Sequence, residues 1–266
     1  MKEVFPNTKA HIIIGVAGAA PSFIRSLVEN FYYKNLLDIS FLGDAHNSTI
    51  SQNWVRPDID LLENKLAMRD VKTQELFVNP IDENKPLILM THNNMLDCNF
   101  FFNKYPLGKL IHIDINNPKS FYRIQACFLI KSLFQESKLN KSWATLACAK
   151  LLKKHSFALD EINIDKFSLD ELKLLITDEF AIRSMHNYDR TNLGFRKYKD
   201  KVLTLNYTDI IEDKNQVLHN ISEFLNEPIN ENTIKSYDEY LLKQNEVILK
   251  YAPWILEFEA NFNQKF

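Results

Sequence analysis

Apolar positions along the chain fall into two recurring patterns: short unbroken runs, and longer stretches with an apolar residue every three or four positions. Residues 11–15 (HIIIG) form a β-branched run that stops at Gly15. A small-residue turn follows, and 21–37 then carries Phe23, Leu27, Val28 and Phe31 on one helical face. The alternation repeats. "KPLILMTHNN" is a wholly apolar run ending in polar residues, "GKLIHIDINNPKS" has the same form, and "KVLTLNY" supplies a further strand. Apolar runs of this length mark strands of parallel sheet that are covered on both faces. Helices are expected over 57–70 with Pro57 near the start, 118–134 with Pro118 in the first turn, and 141–154. Three more are expected: 168–186 behind a Ser168-x-x-Glu171 capping box, 213–225 on Val217, Ile221, Phe224 and Leu225, and 231–250. The stretch "SFLGDAHNSTISQNWVRP" is polar and turn-rich, hence a loop.

Strands alternating with helices predict an α/β protein built on a doubly wound parallel sheet flanked by helices. No linker, repeat or charge block divides the sequence, so residues 1–266 read as a single domain. In such sheets ligands bind beyond the carboxyl ends of the strands. The residues that follow each apolar run are therefore the ones to examine for chemistry.

Composition narrows the possibilities further. A chain of 266 residues that is 45% apolar and 12% aromatic can bury a full core. Its net charge of -2 gives no electrostatic basis for a nucleic-acid partner. Three cysteines (Cys98, Cys127, Cys148) without C-x-x-C spacing indicate neither a disulfide framework nor a zinc site, and reduced thiols suit a cytoplasmic location. Lys2, Lys9 and the run Ile12 to Ala20 imitate a secretion signal, but Glu3 and the glycine turn argue against one. No apolar stretch approaches the roughly 20 residues that span a bilayer, so no membrane partner is expected. The sequons at Asn47, Asn140, Asn206 and Asn220 then carry no meaning.

The most suggestive segment is "HIIIGVAGAAPSFIRSLVENF", residues 11–31. Strand, tight turn and helix is the geometry that aims backbone N–H groups and a helix N-terminus at an anion. The lysine that usually completes such a loop is missing before Ser22. His92, just past a buried strand, has the near-neutral pKa that general-base work requires. His11 and His112 lie in or beside strands and read as structural. Trp54, Trp143 and Trp254 are isolated, with no sugar-stacking pattern. Asp209, Glu212 and Asp213 read as a solvated cluster rather than as metal ligands.

Taken in order, four segments resemble the sulfotransferase family, which moves a sulfuryl group from 3′-phosphoadenosine 5′-phosphosulfate (PAPS). The family's Pro-Lys-Ser-Gly-Thr-Thr-Trp corresponds to Ala17-Gly18-Ala19-Ala20-Pro21-Ser22-Phe23, and its Lys-Thr-His to Met90-Thr91-His92. "GKLIHIDINNPKS" is similar to Lys-Ile-Ile-Tyr-Val-x-Arg-Asn-Pro-Lys-Asp, and "VLTLNYTDIIEDKNQVLHNISEFLNEPI" to the Tyr-Glu-Asp segment with its following helix. The resemblance covers roughly residues 11 to 230. It implies a P-loop-like, sulfotransferase-type three-layer sandwich, with PAPS as co-substrate, a hydroxyl of a small molecule or sugar as acceptor, and no metal. It also implies His92 as general base, with Gly18, Ala19, Ala20, Pro21, Ser22, Phe23, Asn116, Arg123 and Tyr207 around the nucleotide.

The departures fall at the charged positions. Gly18 and Met90 stand in place of lysines, and Asn116 in place of the arginine before Asn-Pro-Lys. No match exists for the family's late Arg-Lys-Gly loop. Arg123 is the expected substitute at the 3′-phosphate. Arg25 and Arg56 are the nearest cations to the first loop, Arg25 being expected on a solvated helix face. Tyr207 aligns with a tyrosine near the adenine, and reads equally as a half-buried residue at a strand end. Two other readings remain: a non-catalytic relative serving as a nucleotide-binding or assembly module, and a nucleotide kinase-like protein. The latter is disfavoured by the missing Gly-Lys-Ser/Thr.

Overall fold

Four apolar runs become parallel strands of one sheet in the computed structural model, which describes residues 4–15, 19–32, 86–91, 98–115, 118–134, 167–177 and 195–262. The strands are β1 (Ala10–Ile14), β2 (Leu87–Thr91), β3 (Lys109–Asp114) and β4 (Val202–Asn206), in the order β2-β1-β3-β4. Every pair is parallel. β1 is buried along its whole length and β3 along its four central residues, which is why both read as unbroken apolar runs.

Eight helices join and cover these strands among the described residues: α1 (Pro21–Tyr32), α2 (Cys98–Lys104), α3 (Pro118–Phe134), α4 (Leu169–Ile176), α5 (Tyr207–Glu212), α6 (Lys214–Leu225), α7 (Glu231–Tyr251) and α8 (Trp254–Phe262). A 3₁₀ segment, Phe195–Lys201, leads into β4. The helices expected at 118–134, 213–225 and 231–250 are present, and α4 starts as predicted. The Ser168 hydroxyl accepts from Glu171 N–H at 3.3 Å while Glu171 accepts from Ser168 N–H at 3.1 Å. The helices expected at 57–70 and 141–154 lie outside the described residues, as do the ends of those expected at 21–37 and 168–186.

Side chains alternate across the sheet, and the two faces have separate cores. Ile13, Ile88, Ile111, Ile113 and Leu205 face a core shared with α1, α3, α5, α6 and α7. Ala10, Ile12, Ile14, Leu87, Leu89 and Leu110 face α2 and Phe5 on the other side. The fold is therefore α/β, with helices on both faces of a parallel sheet. A third cluster ties α3, α4, α8 and the end of α7 together through Cys127, Ile130, Leu172, Ile248 and Ile255.

The chain runs from β1 outward to β2, then crosses to β3 on the far side of β1. The strand order therefore reverses at β1 and β3, where doubly wound sheets open a crevice at their carboxyl ends. There Ile14 pairs with both Thr91 and His112. Gly15 follows directly and has almost no space. A Cβ added to it would lie 3.2 Å from the Ile113 Cβ and 3.5 Å from the Pro21 Cβ. Gly15→Ala is expected to destabilise the protein by about 1–3 kcal/mol, the usual cost of forcing a methyl into a packed interior. Chemical unfolding measures it, and an unchanged midpoint would show that the turn has slack.

Candidate functional site

The described residues of the turn between β1 and α1 are Gly15, Ala19 and Ala20, which have small side chains and include one uncommon backbone angle. Ala19 and Ala20 are buried, and Ala20 adopts φ 63°, the left-handed region that non-glycine residues rarely enter. Its carbonyl accepts the first helical bond, from Ile24 N–H at 2.9 Å, so Ala20 caps α1. Pro21 then occupies the first helical position, where its missing N–H costs nothing. The N–H groups of Ser22 and Phe23 follow and have no acceptor within the helix. Two backbone donors at the positive end of a twelve-residue helix, behind a left-handed residue, form a cradle suited to an anion.

Two side chains fix that cradle against the rest of the fold. The Ser22 hydroxyl donates to the Met90 thioether at 3.5 Å, a weak bond that joins the start of α1 to β2. Phe23 stacks face to face on Tyr240 of α7, with centroids 3.8 Å apart, and edge-on against Tyr237 at 4.9 Å. Met90 precedes His92 by two residues in sequence. His92, Gly18 and Asn116 lie outside the described residues.

Arg123 does not meet its expectation as an open cation. It is 2% exposed, and all three guanidinium nitrogens bond to the C-terminal helices. Nε donates to Gln244 at 3.0 Å, Nη1 to Glu259 at 3.1 Å, and Nη2 to Asn245. An anion could recruit it only by displacing the Glu259 carboxylate, so its work here is to tie α3 to α7 and α8. Sequence reasoning missed these partners because α8 was not foreseen. Tyr207 also differs from its half-buried, strand-end expectation. It is the first residue of α5, 1% exposed, and its hydroxyl is buried without a hydrogen-bond partner. Burial pushes its pKa well above the usual tyrosine range.

Arg25 is the second correction. The expected solvated arginine is buried, its Nε 3.8 Å from the buried Glu29 carboxylate one turn on. The cause is that α1 is covered on all sides: Arg25, Ser26, Glu29 and Asn30 are buried along with the apolar face. Neither oxygen of Glu29 receives a hydrogen bond. Burial pushes the Glu29 pKa up to about 7, with Arg25 pulling against that shift. At the end of α1, Tyr32 is hydrogen-bonded to His11 Nε2 at 2.7 Å and stacks on the ring. Burial, then Lys109 and Lys9, depress His11 to about 3, so it is a neutral structural group at ordinary pH.

The acidic residues after β4 have local roles. Asp213 caps α6 by accepting from Gln216 N–H at 3.0 Å, and Asp209 accepts from Asn206 at 3.0 Å. Among the described residues no cluster of three His, Cys, Asp or Glu is placed to hold a metal, and no helix is long and apolar enough to cross a membrane. Cys98 and Cys127 are buried free thiols.

No family model matches the sequence, and no curated protein matches it. Among solved structures, the chain is similar to the crystal structure of a sulfotransferase from Alicyclobacillus acidocaldarius at 10% identity and a TM-score of 0.32. That similarity covers 91% of this chain and 94% of the other. A likeness of that depth leaves the reading of the site to its own residues.

Glu29 and His11 give stability opposing pH dependences. Glu29 rises from 4.5 to about 7 on folding, so its favourable contribution is complete below pH 4.5 and is lost as pH rises towards 7. His11 falls from 6.5 to about 3, so its contribution is complete above pH 6.5 and is lost as pH falls towards 3. The slopes oppose each other between pH 4.5 and 6.5. Glu29→Gln is expected to remove the first and leave stability climbing more steeply with pH. It should also gain up to roughly 3 kcal/mol over the wild type above pH 7. Urea unfolding at half-unit pH steps reads both effects, and parallel profiles would refute them.

Proposed function

We propose that the protein binds a 3′-phosphorylated adenosine nucleotide beyond the carboxyl ends of β1, β2 and β3, and transfers the sulfuryl group of PAPS to a hydroxyl of a small molecule or sugar. The observation that carries this reading is the left-handed Ala20 at the entrance to α1. Ala20 stands where the resembling motif has glycine, the residue made for that conformation, and the strain persists here in a non-glycine residue. A turn kept in a costly shape next to two helix donors that have no acceptor within the helix, at the point where strand order reverses, is what an anion-binding loop requires.

In this reading Gly18, Ala19, Ala20, Pro21, Ser22 and Phe23 form the phosphosulfate loop. Asn116 lies by the 3′-phosphate, and Tyr207 belongs to the wall behind the adenine. Arg123 is not used, being engaged by Glu259. His92 accepts the proton of the acceptor hydroxyl as its oxygen bonds to sulfur, while the sulfur–oxygen bond to the phosphate breaks. The bisphosphate then leaves with the electron pair. No metal takes part.

A second reading, a nucleotide-binding module without turnover, is favoured by Met90. Its thioether occupies the Ser22 hydroxyl at the position where the motif has a lysine. A missing transition-state cation commonly costs about 3–4 kcal/mol of stabilisation.

Calorimetry with adenosine 3′,5′-bisphosphate and with ATP plus Mg²⁺ tests the ligand class. The bisphosphate is expected to bind more tightly, and the opposite order would move the protein to the kinase-like class. His92→Ala is expected to lower kcat by roughly 10²–10⁴-fold and to leave nucleotide affinity within a few fold. An unchanged rate in that variant, or no transfer by the wild type to any of a broad panel of hydroxyl acceptors, would select the binding module.

A further inference from the structure

The first turn of α1 is held by an aromatic clamp whose two walls are anchored differently. Phe23 lies edge-on to Tyr237 and face to face with Tyr240, with centroids 4.9 Å and 3.8 Å apart. The Tyr237 hydroxyl donates to a backbone acceptor, the Ile210 carbonyl, at 2.8 Å. The Tyr240 hydroxyl is held by a side chain instead, accepting at 2.7 Å from Nε2 of Gln244, one turn further along α7. That wall is only as fixed as the Gln244 amide.

A primary amide has one donating and one accepting end, and either can face a tyrosine hydroxyl, which itself both donates and accepts. Arg123 removes the choice. A guanidinium only donates, so its Nε, 3.0 Å from Gln244, requires the amide oxygen and turns the amide nitrogen towards Tyr240. Arg123 is set in turn by Glu259 of α8, at 3.1 Å from Nη1, and by Asn245 at Nη2. A planar fork with all three nitrogens engaged has one orientation. Arg123, Gln244, Tyr240 and Phe23 are all buried, so water does not compete for their contacts. The chain of contacts therefore runs without a gap from α3 to α1, and ends in two ring planes that differ by 3°.

We propose that Arg123 is a positioning residue for the β1–α1 turn: it fixes the Gln244 amide, the amide fixes Tyr240, and Tyr240 fixes Phe23 together with the first helical bond of α1. Arg123 thus acts on the loop through Phe23 and not on a ligand. The link concerns the shape of the turn, whatever the turn binds. Its bearing on nucleotide affinity alone rests on the function proposed above.

Site-resolved amide hydrogen exchange in the ligand-free protein tests the link, on the wild type, Arg123→Met, Tyr240→Phe and the two substitutions together. Ile24 N–H, bonded to the Ala20 carbonyl at 2.9 Å, reports the first turn of α1, and the β1 amides report the sheet. Tyr240→Phe keeps the stacked ring and removes only its anchor. Each single variant is expected to speed exchange at Ile24 by roughly tenfold more than at the β1 amides. The double variant is expected to go no further than either single one, because both cut the same link, whereas two independent structural losses would multiply. Exchange at Ile24 that only keeps pace with β1, or multiplied effects in the double variant, would overturn the proposal. If Arg123→Met does not fold, Gln244→Leu takes its place in the cycle. Calorimetry with adenosine 3′,5′-bisphosphate on the same proteins reads the bearing on the site. A several-fold loss of affinity in each single variant is expected, and wild-type affinity retained within twofold would overturn that bearing. Faster exchange at Ile24 in the variants of a protein that binds no bisphosphate would uphold the positioning role and refute the nucleotide reading.

Discussion

The chain leaves β1 at Gly15, where an added methyl would press on its neighbours. Gly15 lies against Ile113 of the neighbouring strand and against Pro21, and the next described residues, Ala19 and Ala20, are themselves buried. The sheet therefore dictates the direction in which α1 starts, and α1 in turn dictates where Ser22, Phe23 and Arg25 lie. Glycine at the strand end, proline at the first helical position and alanine in a left-handed conformation solve one steric problem between them. Their combined result is a helix that starts just beyond the carboxyl end of β1.

The polar groups buried around this turn divide into two kinds. Some bond one helix to another or lie between neighbouring turns. Arg123 has three partners, Gln244 also donates to the Tyr240 hydroxyl at 2.7 Å, and Asn30 donates to Ser236 at 2.8 Å. Others do not: both Glu29 oxygens, the Asn30 Oδ1 and the Tyr207 hydroxyl are buried without a hydrogen-bond partner. Buried polar groups in folded proteins are ordinarily paired, and exceptions gather where a ligand or a change of state completes them.

Much of this architecture was legible in the sequence. The strands could be read because parallel strands buried on both faces need unbroken apolar runs, and the capping box at Ser168 is purely local chemistry. Whatever depends on distant partners could not be read. Arg25 looked solvated because arginine side chains are mostly exposed, and nothing local shows that α1 is covered all round. Arg123 looked available because its acceptors lie on α7 and α8, the second of which carries no clear periodic pattern. Tyr207 looked like the end of a strand because "KVLTLNY" runs straight into it, whereas the chain changes to helix at that residue. The aromatic segment of α2 gave no helical signal, as its apolar residues Phe100, Phe101 and Phe102 are consecutive.

The stack of Phe23 on Tyr240 has a consequence for the order of assembly. It fastens the second half of the loop to a helix near the far end of the chain, and the neighbouring Asn30–Ser236 bond closes a separation of 206 residues. Contacts so distant in sequence form late, after the intervening chain has been ordered. On the ribosome, the first strand and its turn emerge long before the helix that fixes them. β1 and its turn are thus made well before the helix that fixes them, and a nascent chain lacks the Phe23–Tyr240 stack until Tyr240 has emerged.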